Sequence, residues 1–76
     1  MQEKRILISG GTSGIGLTAA KLFLSAGAKV ALLGRSATRG EAALQELGEN
    51  EQAIFVQGDV SRRADCQRAR QQMETL

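Results

Sequence analysis

Seventy-six residues with ten Lys and Arg against eight Asp and Glu carry a formal charge of +2, the size of one small domain whose core supplies roughly 3–5 kcal/mol. A lone Cys66 and the absence of histidine exclude an internal disulfide and any metal centre built on His or Cys pairs, so no metal is expected. The longest apolar runs are far too short to cross a bilayer and no apolar leader opens the sequence; with one unpaired thiol, this predicts a cytoplasmic protein without membrane contact.

Arg5–Ser9, apolar in succession at Ile6, Leu7 and Ile8, is the first predicted strand. It runs into the glycine-rich stretch Ser9-Gly10-Gly11-Thr12-Ser13-Gly14-Ile15-Gly16. A helix is predicted from about Gly14 to Ala26, with Leu17, Ala20, Leu22, Phe23 and Leu24 apolar and Gly27 as a left-handed terminator. The second strand spans Lys29 to Leu33 and leads to Gly34-Arg35-Ser36. Thr38 is the expected cap of the second helix, Glu41 completing a capping box; Ala42, Ala43, Leu44 and Leu47 form its stripe, and Gly48 ends it. Ala53–Gln57 is the third strand, followed by Gly58-Asp59-Val60. Ser61 is the expected cap of a third helix reaching Leu76, with Cys66, Ala69, Met73 and Leu76 on one side.

Strands alternating with helices predict parallel βαβ units. Apolar residues at consecutive rather than alternate positions predict strands buried on both faces, as in doubly wound α/β sheets. Right-handed crossovers put the first two helices on one face and give the strand order 3-2-1. Only the third helix remains for the opposite face. The outer edge of the first strand has no partner, which makes it a template for self-association or for pairing with another chain.

A glycine-rich turn that leaves a buried strand and enters a helix is suited to hold a pyrophosphate on backbone N–H groups. Gly10 permits the tight turn, Gly14 lets the backbone approach the pyrophosphate, and Gly16 lets the helix pack closely on the strand. Thr12 and Ser13 add hydroxyl donors, and the N–H of Ile15 points out of the helix start. The plainer alternative is a glycine-rich βα turn without a ligand. About twenty residues beyond the loop, an NAD binder would place an acidic residue on the ribose hydroxyls. Gly34, Arg35 and Ser36 offer none. The Arg35 guanidinium instead suits a 2′-phosphate through paired charge-assisted bonds, so NADP(H) is the expected cofactor and NAD(H) the alternative. Arg39 is either a further contributor at that phosphate or, as a residue on a helix surface, simply solvated. Asp59 after the third strand is either a turn residue or part of the same site.

With this loop the chain resembles the amino-terminal part of the short-chain dehydrogenase/reductase family, whose phosphate loop is Thr-Gly-x-x-x-Gly-x-Gly. Glycines 10, 14 and 16 keep that spacing, which differs from G-x-G-x-x-G, and Ser9 replaces the usual threonine. The resemblance runs from residue 5 to residue 76. It implies a Rossmann-type βαβαβα unit, one half of a doubly wound fold, binding the adenosine and pyrophosphate half of the cofactor. It further implies that Asp59 accepts from the adenine amino group and that Val60 lines the ring pocket. Ser13 stands where many NADP(H)-preferring members carry a second basic residue. The parent reaction implied is hydride transfer between nicotinamide and a carbonyl or alcohol. The family's Asn-Asn-Ala-Gly segment, catalytic serine and Tyr-x-x-x-Lys pair would all lie beyond Leu76. This chain has no tyrosine, so no catalytic residue is expected within it and the 76 residues alone are expected to be inactive.

Two other classes compete. One is a non-enzymatic nucleotide-binding or assembly module that uses the open strand edge. The other is nucleic-acid binding, suggested by Arg62, Arg63, Arg68 and Arg70 on the third helix. Asp65 and Glu74 interrupt that charge, and the two aromatic residues, Phe23 and Phe55, lie on apolar faces. The arginines therefore read as a solvated helix face, and no nucleic-acid partner is expected.

Overall fold

Strand β2 (Lys29–Gly34) is the centre of the molecule, because Val30, Ala31, Leu32 and Leu33 are apolar without interruption and all four are buried. In the computed structural model, which describes residues 4–10, 14–48 and 50–76, β2 pairs in parallel with β1 (Arg5–Ser9) on one side and β3 (Ala53–Gln57) on the other. The order β1-β2-β3 is the one expected from the sequence. The register sets Ile6 beside Val30 and Leu32 beside Phe55.

Side chains alternate across a strand, so β2 feeds two separate cores. Val30 and Leu32 pack with Ala20 of α1 (Gly14–Ser25) and Ala43 of α2 (Ala37–Glu46) on one face. Leu33 packs with Val56 and with Ala69 of α3 (Arg63–Met73) on the other. Gly40 faces the Phe55 ring so closely that a Cβ there would overlap it. The missing side chain lets α2 lie directly on β3. Gly27 (φ 90) and Gly48 (φ 79) take the left-handed backbone expected of helix terminators.

Four local expectations change. Burial on both faces holds for β2, whereas β1 alternates between exposed and half-buried residues, with Leu7 37 % exposed. The reason is coverage: α3 sits over Leu33 and Val56 and covers Leu7 only in part. The capping box at Thr38 and Glu41 does not form, because α2 already starts at Ala37. Ser36 is its cap, with extended backbone and an Oγ accepting from the Arg39 N–H at 3.2 Å. Ser61 does not cap α3 either. Its N–H and hydroxyl both donate to Asp59 Oδ1, at 2.9 and 2.8 Å, and the helix begins two residues later behind Arg62. Lastly, α3 ends at Met73, so Leu76 lies beyond it. Among the described residues, no helix is long and apolar enough to cross a membrane.

Candidate functional site

Parallel strands deliver their carboxyl ends to one side of the sheet, and here three loops leave from it together. The Gly10 N–H donates to the Leu33 carbonyl at 3.3 Å, and the Gly58 N–H donates to the Gly34 carbonyl at 2.8 Å. These bonds hold the first residue after β1 and after β3 against the end of β2. Between the three loops lies a cavity of about 270 Å³ bordered by Ser9, Gly10, Leu33, Gly34, Arg35, Ser36, Arg39, Gly58, Asp59 and Val60.

Five of the expected site residues, Gly10, Arg35, Ser36, Asp59 and Val60, meet at that cavity. Gly14, Ile15 and Gly16 form the start of α1, where Ile15 is 89 % exposed. Thr12 and Ser13 lie outside the described residues. Gly10 and Gly14 both adopt positive φ, 71° and 56°, and among the described residues, chain neighbours and the helix's own backbone aside, no atom lies within 4 Å of where a Cβ would stand. The backbone, not crowding, therefore requires glycine at these two positions.

Arg35 is fixed through its carbonyl, which accepts from Gln57 Nε2 at 3.0 Å. Its exposed guanidinium lies 3.7 Å from Asp59 Oδ2, across the cavity mouth. The Asp59 carboxyl is held below its ordinary value, first by the Ser61 N–H and hydroxyl and then by the Arg35 charge. Val60 is 56 % exposed at the rim, and its carbonyl accepts from the Cys66 thiol at 3.3 Å.

Sequence reasoning missed the group that braces this end. Asp65, in the first turn of α3, accepts from the Asp59 N–H at 2.8 Å and from Arg68 at 3.1 Å. Arg68 also donates to the Gln57 carbonyl. The spacing of Asp65 and Arg68, three residues apart on one helix, was the available signal. Arg68 is thus tethered rather than simply solvated. The Asp65 carboxyl is also lowered, chiefly by the Asp59 N–H and secondarily by Arg68.

Both shifts have the same sign. A carboxyl depressed in the fold stabilises it above the unfolded value and loses that contribution as pH falls through the folded one. Acidification below the ordinary value of 3.8 is therefore expected to weaken the fold. Melting curves between about pH 5 and about pH 2 should show a shallower acid loss for Asp59→Asn than for the unsubstituted chain. Identical acid profiles would remove Asp59 from this role.

Comparison with known proteins shows the family and the fold. Residues 4–76 match the family model described as short chain dehydrogenase. The chain is 45% identical over 65 residues to the 3-beta-hydroxysteroid dehydrogenase of Comamonas testosteroni, a match covering 86% of this chain and 25% of that protein. It is 43% identical over 61 residues to the NADP-dependent (R)-specific alcohol dehydrogenase of Lentilactobacillus kefiri, covering 80% of this chain and 24% of that protein. Among solved structures, the 3-ketoacyl-(acyl-carrier-protein) reductase from Brucella melitensis complexed with NADH superposes with a TM-score of 0.83 at 32% identity. That superposition covers 97% of this chain and 30% of the reductase. The chain spans about a quarter of the length of the curated relatives it matches.

Proposed function

Because the chain belongs to the short-chain dehydrogenase family, we propose that its 76 residues form the adenosine and pyrophosphate half of a nicotinamide dinucleotide site that prefers NADP(H) to NAD(H). The observation that carries this reading is the grouping of Arg35 and Ser36, at the end of the central strand, on one cavity with Gly10, Asp59 and Val60. Ligands of open parallel sheets bind outside the carboxyl ends of the strands, which is where this cavity opens.

The residues fit such a cofactor on their own chemistry. Among the described residues, Gly10 and Gly14 leave open space beside their backbones, as close approach of a pyrophosphate needs. The N–H groups that open α1 at Ile15 and Gly16, with the hydroxyls of Thr12 and Ser13, are its donors. Asp59 is held ionised as an acceptor for the adenine amino group, with Val60 as an apolar neighbour for the ring. Arg35 carries the charge for the 2′-phosphate, and Ser36 supplies a hydroxyl beside it. The relative from Lentilactobacillus kefiri, described as NADP-dependent, supports the preference, whereas NADH in the Brucella melitensis structure supports only the wider dinucleotide class.

When bound, the reduced nicotinamide would give a hydride to a carbonyl, or its oxidised form would take one from an alcohol. The 76 residues hold the other end of the molecule. Having no tyrosine, they bring no counterpart of the family's Tyr-x-x-x-Lys acid, so they bind and orient without completing the reaction.

Isothermal titration of the folded chain tests this reading. Arg35→Ala is expected to weaken NADP⁺ binding about tenfold or more while changing NAD⁺ binding much less, as loss of a charge-assisted phosphate contact would. Equal or undetectable binding of both dinucleotides by a folded sample would overturn it.

A second reading, an assembly module, is favoured by a different surface. Among the described residues the outer edge of β1 pairs with no strand. Beside it lies a groove of about 470 Å³ bordered by Arg5, Leu7, Cys66 and Met73 among others. An open edge next to a groove lined by both apolar and arginine side chains suits pairing with a strand of another chain or a second copy.

A further inference from the structure

Asp59 is held at both its carboxylate and its main chain, and the two grips come from different places. The carboxylate is at the cavity, where Oδ1 accepts from Ser61 and Oδ2 lies 3.7 Å from Arg35. The main-chain N–H donates to Asp65 Oδ2 at 2.8 Å and, among the described residues, has no main-chain acceptor. Asp65 belongs to α3 and does not border the cavity, so it reaches a ligand there only through Asp59. Its own carboxylate is fixed in turn. Arg68 donates to the second oxygen, Oδ1, at 3.1 Å, and the same guanidinium donates to the Gln57 carbonyl at the end of β3. Gly58 makes room for this arrangement, since a Cβ there would stand 2.9 Å from Asp65 Cβ.

Resting on the dinucleotide reading above, we infer that Asp65 is a positioning residue for base recognition: it fixes the Asp59 main chain, and so the place where the Asp59 carboxylate meets the adenine amino group. Asp59 lies between the end of β3 at Gln57 and the start of α3 at Arg63, in a segment with no strand ladder to hold it. A carboxylate accepting from a main-chain N–H makes a charge-assisted bond, roughly twice as strong as a neutral one. Here that bond ties the segment to a helix that is itself anchored on the sheet through Arg68. A hydrogen bond to the base needs its atoms about 2.7–3.2 Å apart, so a shift of about 1 Å in this segment forfeits the contact. Recognition of the base then depends on a carboxylate that never touches it.

Calorimetric titration of the 76-residue chain with NADP⁺ and with its hypoxanthine analogue, which has an oxygen in place of the adenine amino group, tests this. The unsubstituted chain is expected to prefer NADP⁺ about tenfold or more. Asp65→Asn, which keeps an oxygen for the Asp59 N–H, should retain that preference. Asp65→Ala and Asp65→Glu, checked for fold by circular dichroism, should lose most of it. The glutamate keeps a charge beside Arg68 but moves the acceptor by a methylene, so it answers the question even where the alanine variant does not fold. An unchanged preference in either variant when folded would overturn the proposal and leave the dinucleotide reading intact. Equal weakening of both ligands would do the same, by assigning Asp65 to stability alone, and so would loss of preference in Asp65→Asn, by assigning the effect to charge. Equal binding of both ligands by the unsubstituted chain would remove Asp59 as the adenine acceptor and overturn this inference only. No binding of either by a folded chain would sink the dinucleotide reading, and this inference with it.

Discussion

Leu32→Ala is expected to leave the chain largely unfolded at room temperature. Leu32 is fully buried at the middle of the central strand and packs with Val30, Ala20 and Ala43, where β2 meets both α1 and α2. Truncating a buried leucine costs about 2–5 kcal/mol, because transfer free energy is lost and the surroundings close the cavity only in part. Burial in a chain of this length supplies roughly 3–5 kcal/mol in all. The two ranges overlap, so one substitution removes most or all of the stability. Leu22→Ala is the matched control: it removes the same atoms from a side chain 66 % exposed, and its effect should stay within about 0.5 kcal/mol. Circular dichroism through a thermal melt separates the two variants. A cooperative Leu32→Ala melt within a few degrees of the unsubstituted chain would mean that β2 is not the centre of the core.

Gly14→Val should abolish measurable dinucleotide binding while the chain still folds. Gly14 has φ 56° and, among the described residues, open space where a side chain would project. An L-residue there costs about 1–2 kcal/mol of backbone energy, and its Cβ would stand where the proposed pyrophosphate approaches. Losing that approach forfeits charge-assisted bonds of about 1.5–3 kcal/mol each, a weakening of roughly a hundredfold or more. Strain alone can be measured separately. Gly48 also has positive φ and open space, but it ends α2 away from the cavity. Gly48→Val should therefore lose similar stability and keep its affinity. Parallel losses of affinity in both variants would assign the effect to folding rather than to the site.

The order of elements and the strand limits were legible because three short apolar runs, each bounded by glycine or polar residues, leave few ways to place a parallel sheet. β1 and β3 fall where the runs end, and β2 is longer by Gly34, whose carbonyl accepts from Gly58. The start of α1 at Gly14 was legible, whereas the starts of α2 and α3 were not. Ser36 and Thr38 both suit the start of α2, and where β2 ends decides for Ser36. Ser61 suits the start of α3 by type, but the Asp59 carboxylate engages it in a turn of its own. The run Ile6-Leu7-Ile8 reads as buried, yet nothing in it specifies what covers Leu7. Arg35 and Asp59 were legible as separate signals, while their pairing across the mouth required the sheet to bring the ends of β2 and β3 side by side.

The most direct test of the dinucleotide site is an amide ¹⁵N–¹H correlation spectrum of the chain titrated with NADP⁺. Shifts concentrated at Gly10, Gly14 to Gly16, Gly34 to Ser36 and Gly58 to Val60 are the predicted result. A folded chain whose spectrum does not move, or moves only along β1 and the groove beside α3, would contradict it, and the second pattern would favour assembly through the open edge.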